Sequence, residues 1–195
     1  MAVHPERTPL ADAPAGSATA LLVVDMISTW DFQDADRLGP ATVDIASAIA
    51  ALSKRCRDAD IPVIYANDNR GRWRSEFSEI VRLSAASGPT GEAIARVLRP
   101  ADTDYAVLKP KHSAFFATPL DLLLRHLRTQ RLIVTGVASD LCVTMTASEA
   151  RMRDYEVTVP GDCVAALTPQ RNDRALRFLA EVHGMETTPS TELSL

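Results

Sequence analysis

Residues 131–153, RLIVTGVASDLCVTMTASEARMR, decide the fold. The run Arg131–Thr135 is apolar and rich in branched side chains, as a strand covered on both faces requires. Gly136 interrupts the run, and Asp140 to Arg153 reads as a helix. A strand that feeds a helix is half of a βαβ unit, and the rest of the chain repeats the figure. Ala18–Val24, Pro62–Ala66, Tyr105–Leu108, Glu156–Val159 and Met185–Thr188 read as five more strands. Between them lie helical stretches at Thr42–Arg57 and Thr90–Leu98. Thr118-Pro119, with Asp121 in capping-box position, opens another helix. Thr168-Pro169 opens the last one, and His183-Gly184 closes it. The alternation predicts an α/β fold: a single doubly wound domain around a six-stranded, mostly parallel, Rossmann-like sheet of order 3-2-1-4-5-6, with helices on both faces.

The 195 residues suit one such domain, placed at 18–188, with a tail at 1–17 rich in Ala and Pro and a short tail at 189–195. Apolar residues make up 46% and charged residues 24%, the balance of an ordinary globular core and surface. A net charge of −4, spread along the chain, leaves no basic face, so nucleic acid and anionic membrane are excluded as expected partners. No apolar run approaches the ~18–20 residues that span a bilayer. The first residues lack the apolar centre of a signal peptide, and three cysteines, at 56, 142 and 163, make an odd count. Reduced thiols in a cytoplasmic protein are therefore expected, with a small molecule as the partner class.

Open parallel sheets bind ligands beyond the carboxyl ends of their strands. Here those ends carry Asp25, Asn67 with Asp68, Lys109, the Gly136–Cys142 segment, and Gly161 with Asp162. A carboxylate ending a buried strand, such as Asp25, is a candidate general base, or else an ordinary turn cap. Lys109 ends its strand in the same way and is a candidate cation for a neighbouring thiolate, with Lys111 as a rival two residues on. Cys142 stands where a strand turns into a helix, and the positive end of the helix dipole favours a thiolate there. Unpaired N–H groups at such a turn suit an oxyanion. Cys56, in mid-helix, and Cys163 lack that setting and read as core residues.

On these residues the chain resembles the isochorismatase-like cysteine hydrolase superfamily, which includes nicotinamidases, carbamoyl-amide hydrolases and ureidoacrylate-type amidohydrolases. The matching stretches are TALLVVDM at 19–26, VLKPKHSAFFAT at 107–118, LIVTGVASDLCVTMTASEA at 132–150 and YEVTVPGDCVA at 155–165. The resemblance implies Cys142 as nucleophile, Asp25 as acceptor of its proton and Lys109 as the cation beside the thiolate. It also implies a cis peptide between Val137 and Ala138, which turns the Ala138 N–H toward the site beside that of Cys142. The implied reaction is thiolate attack on a carbonyl, departure of ammonia or an amine, and hydrolysis of the thioester by water activated through Asp25.

Two stretches depart from the family pattern. Nicotinamidases carry an Asp-x-His…His metal site after the second strand, whereas this chain has Asn67-Asp68-Asn69-Arg70-Gly71-Arg72-Trp73-Arg74. One carboxylate among amides is a poor zinc site, so no metal and no other cofactor is expected. After Asp25 the wording is Met26-Ile27-Ser28-Thr29-Trp30-Asp31-Phe32, which alters a pocket wall. Trp30, Phe32, Asn67, Asp68, Trp73 and Phe115 are the candidate substrate-binding residues, with Phe116 read as either wall or core. The arginine-rich loop is either a lid for an anionic or aromatic substrate, or a surface loop that is solvated or buried against another subunit. The expected function is hydrolysis of a small amide, N-carbamoyl or ureido compound by a homo-oligomer, dimer or tetramer. Vinyl-ether hydrolysis and a non-catalytic binding domain stand as the alternatives.

Overall fold

The computed structural model describes residues 17–195, so the predicted tail at 1–17 lies outside the described residues except for Ser17. Six strands form one sheet: β1 Thr19–Val24, β2 Val63–Asp68, β3 Tyr105–Lys109, β4 Arg131–Val137, β5 Glu156–Thr158 and β6 Val164–Ala165. Five run in the order β3-β2-β1-β4-β5, β6 also pairs with β4, and every pairing is parallel. The predicted sixth strand at 185–188 shrinks to one parallel bridge between Thr158 and Glu186. The cause is β5, whose three residues leave almost no edge to extend.

The helices are α1 Ala35–Asp58, α2 Phe77–Ala85, α3 Pro89–Val97, α4 Leu120–His126, α5 Thr144–Met152 and α6 Pro169–Glu181. Helix α1 begins two turns before the predicted Thr42 and runs through Pro40. The capping box at Thr118 does not form: Pro119 takes the cap position, and the Thr118 hydroxyl accepts from the Leu120 N–H. Thr168 does cap α6, accepting from the Arg171 N–H. Among the described residues no helix is long and apolar enough to cross a membrane.

Alternation along β1 divides the core into two layers. Ala20, Leu22 and Val24 face a cluster with Leu120, Leu124, Ala147 and Leu179. Leu21 and Val23 face the other side, with Ile49, Leu52, Ile94 and Leu98. All six residues of β1 are buried, which is why the run reads as continuously apolar. At Gly136 the sheet closes to its tightest approach. A Cβ there would lie 2.0 Å from the Val24 carbonyl oxygen, and its φ of +109° suits glycine alone.

Residues 189–195, expected as a tail, are held against the domain. Asp162 accepts from the Ser190 N–H at 2.7 Å and from its hydroxyl at 2.6 Å. Arg55 donates to the carbonyls of Ser190 and Leu193, and the Leu193 side chain is buried in the core. An aspartate accepting two hydrogen bonds and an arginine clamping two carbonyls are the physical reasons that this segment does not hang free.

Candidate active site

The sheet delivers three chemically capable side chains to one edge. Asp25 leaves β1 with a left-handed φ of 52°, its N–H still bonded to the Ala66 carbonyl, so its side chain turns over the ends of β1 and β2. Lys109, the last residue of β3, is 1% exposed. A π-helical turn at Ser139–Val143 lies between β4 and α5 and carries Cys142. The peptide between Val137 and Ala138 is cis.

Lys109 Nζ lies 2.7 Å from Asp25 Oδ2, 3.1 Å from the Lys111 carbonyl and 3.6 Å from Cys142 Sγ. Three donors thus meet three partners, which is how a primary ammonium is tolerated in near-complete burial. Asp25 Oδ1 accepts from the Asp68 N–H at 2.9 Å. On the side open to solvent, His112 Nδ1 lies 3.6 Å from Sγ. Lys111 is exposed and supplies only its carbonyl, so of the two rival lysines the structure brings Lys109 to the thiol.

Burial pushes the Asp25 carboxyl up, against the opposing charge and hydrogen bond of Lys109. For Lys109, burial pulls downward, but the charge and hydrogen bond of Asp25 lead the opposing effects and the ammonium is held above its usual range. Burial, reinforced by the Asp25 carboxylate, pushes the Cys142 thiol up to about 12, with Lys109 opposing. Burial and the neighbouring anion thus push the thiol toward its protonated form, while Lys109 pulls it toward the thiolate as expected.

A cavity of about 530 Å³ opens over Sγ. Its walls include Ile27, Phe32, Leu38, Ile80, Val137 and Leu141, with Asp25, Asp31, Asp68, Arg70 and His112 as the charged or titratable groups. Of the six candidate substrate-binding residues, Phe32 and Asp68 line it. The other four do not. Trp30 packs beside Phe32 with ring centroids 5.7 Å apart, outside the lining. Asn67 is buried and donates to the Ile27 carbonyl at 2.7 Å, bracing the loop after β1. Phe115 is core, stacked on Tyr155 with Arg153 over its ring, while Phe116 points outward. Trp73 is 83% exposed and lines a separate cavity with Arg70, Arg72 and Arg74. For the three aromatics the cause is common: aromatic type says nothing of where a loop aims its ring.

Sequence reasoning missed His112, although it stands three residues past a strand end already singled out. Arg70, in the loop read as a possible lid, lines the cavity. Among the described residues no group of three or more His, Cys, Asp or Glu side chains is arranged to hold a metal ion. Asp68 accepts from the Arg70 N–H, and Asn69 from the Gly71 N–H, so the loop's acceptors serve its own turn. The donor set does not fit a nicotinamidase-type metal.

The isochorismatase domain family matches residues 19–191, and the chain belongs to it. YaaI of Bacillus subtilis (strain 168), an uncharacterised isochorismatase family protein, is 36% identical over 174 residues, 89% of this chain and 95% of that protein. The isochorismatase of the same organism is 30% identical over 86% of this chain but only 54% of its own length, so this chain spans about half of it. Among solved structures, N-carbamoylsarcosine amidase from Thermoplasma acidophilum superposes with a TM-score of 0.68 at 25% identity. The match covers 91% of this chain and 99% of that one. The protein is thus a member of a hydrolase family that has amidohydrolases among its relatives.

Proposed function

We propose that this protein is a cysteine hydrolase that cleaves a C–N bond of a small carboxamide, N-carbamoyl or ureido compound through a thioester on Cys142. One observation carries the reading: Lys109 Nζ touches Asp25 Oδ2 and Cys142 Sγ at once, at the floor of a cavity. A thiol whose resting state is protonated needs a base at the moment of attack. Asp25, with its carboxyl raised by burial, is suited to take that proton. Lys109 then balances the thiolate as sulfur adds to the carbonyl carbon. The amides of Ala138 and Cys142 are the donors assigned to the oxyanion, each worth roughly 10²–10³ in rate where such donors have been removed elsewhere. Collapse of the tetrahedral intermediate expels the nitrogen and leaves the thioester, which water hydrolyses. The cavity, about 530 Å³ with an apolar wall, suits a substrate of small-molecule size.

The 30% identity to an isochorismatase favours a second reading, vinyl-ether hydrolysis without an acyl-enzyme. An ammonia-release screen over primary amides, N-carbamoyl amino acids and ureido acids, paired with intact mass spectrometry, separates the two. Turnover that disappears in Cys142→Ala, with an acyl adduct trapped on Cys142 of the native protein, is the expected result. Cleavage of isochorismate that survives Cys142→Ala, with no adduct, would replace the C–N reading by the vinyl-ether one.

A further inference from the structure

We propose that His112 is the proton donor to the departing group and the proton acceptor from the hydrolytic water; this assignment rests on the thioester reading. The argument is one of occupancy around the sulfur. Lys109 has all three N–H directions engaged, by Asp25, the Lys111 carbonyl and Sγ. Asp25 has one oxygen against Lys109 and the other against the Asp68 N–H. Lys109 is thereby held beneath the sulfur, and Asp25, which lines the cavity from the end of β1, is the acceptor of the thiol proton. His112 stands on the solvent side: its Nδ1 lies 3.6 Å from Sγ, its ring is exposed, and it forms part of the cavity lining. The charged groups facing that space are Asp25 from the end of β1, Asp31 and Arg70 from the flanking loops and Asp68 from β2, with Lys109 of β3 buried behind Asp25. Asp31 and Arg70 pair with each other at 3.2 Å, and the imidazole is the titratable side chain on the cavity side of Sγ at 3.6 Å.

The proton balance divides between two carriers. Asp25 takes the thiol proton as the S–C bond forms and the carbonyl π electrons move to oxygen. When the C–N bond breaks, its electron pair stays on nitrogen, which takes a proton from the His112 imidazolium. Water then adds to the thioester carbonyl and gives a proton to the neutral imidazole. The S–C bond breaks toward sulfur, Asp25 returns its proton to the thiolate, and the acid product leaves with both carriers restored. His112 exchanges only with leaving group and water, and Asp25 only with sulfur.

Esters of graded leaving ability test this without knowledge of the natural substrate. p-Nitrophenyl acetate expels a phenolate that needs little protonation, whereas phenyl acetate expels one that needs much. Acetylation rates of Cys142 are read by intact mass for the native protein, His112→Asn and His112→Gln, with Cys142→Ala as the blank. A positioned general acid is worth typically 10²–10⁴-fold, so both His112 variants should slow phenyl acetate about 10²-fold and p-nitrophenyl acetate far less. The ratio of the two rates should widen at least tenfold. An unchanged ratio, whether both rates fall together or neither falls, overturns the assignment, because a packing role would not sense the leaving group. If neither ester acetylates Cys142 in the native protein, the thioester reading itself fails and the assignment falls with it.

Discussion

Removing Asp25 acts on Cys142 in two opposed ways, which makes the residue diagnostic. Its carboxylate raises the thiol pKa by charge and hydrogen bonding, second only to burial, while Lys109 opposes. In Asp25→Asn the Lys109 ammonium loses its anionic partner, and Sγ at 3.6 Å is the group left to balance it. The thiolate is then favoured, and the pH of half-maximal iodoacetamide labelling at Cys142 should fall by about one unit or more. Turnover should collapse in the same variant, because the group assigned to carry the thiol proton is gone. Cys56 and Cys163, both 0% exposed, should remain unlabelled and report an intact fold. Labelling of Cys142 that shifts toward higher pH would mean that Asp25 does not act on the thiol as an anion. The three groups of this site were readable in the sequence because each stands at, or in the turn just after, the end of an apolar run. A strand end fixes where Asp25, Lys109 and the Cys142 turn emerge, whatever the loops do. The walls were not readable: Trp30 and Arg70 adopt left-handed φ values of 55° and 59°, and such turns aim side chains by conformation rather than by spacing.

At the scale of elements, the C-terminal segment tests what the sequence concealed. Nothing in Pro189–Leu195 marks it as anchored, since its only large apolar residues are Leu193 and Leu195 and it has no period. Its anchors lie far away, at Arg55 in α1 and at Asp162 after β5. Asp162 stood among the candidate chemical groups because it follows a strand, yet the structure gives it to Ser190. Asp162→Ala removes an acceptor of two hydrogen bonds, and bonds to a charged group contribute about 1.5–3 kcal/mol each. For a domain of this size, losing both should lower Tm by roughly 6–24 °C. Carboxypeptidase should also trim the chain past residue 190 in the variant while leaving the native protein whole. An unaltered Tm with an untrimmed C-terminus would show that Arg55 and the burial of Leu193 suffice. Five of the six sequence-read strands appear, because a strand buried on both faces needs only a local apolar run. Helix α2 was not read at all: it buries only Ile80 and Ser84, too few positions to set a period.

Over the whole molecule, the buried thiols make the fold sensitive to alkaline pH. Cys56 and Cys163 lie in the layer that also holds Ile49 and Leu98, while Cys142 belongs to the opposite layer. Burial raises the Cys56 thiol from 9.0 to about 11, and that of Cys163 to about 12. A group whose pKa is higher in the folded than in the unfolded chain adds stability below the unfolded value and loses it as pH rises toward the folded value. The window is therefore about pH 9 to 11 for Cys56 and extends to about 12 for Cys163. Within it the unfolded chain holds no thiol proton and the native chain holds one per site. Each thiol thus costs about 1.4 kcal/mol of stability per pH unit. The free energy of urea unfolding, measured under reducing conditions at pH 8.0, 9.5 and 10.5, should fall progressively more steeply. In the double variant Cys56→Ala, Cys163→Ala, the slope between pH 9.5 and 10.5 should lessen by about 2–3 kcal/mol per pH unit. The cavities left by the two alanines lower stability equally at every pH and so do not enter the slope. Equal slopes in the two proteins would mean that both thiols reach water before the domain unfolds as a unit. The two-layered core would then open locally around the α1 side well below the global transition.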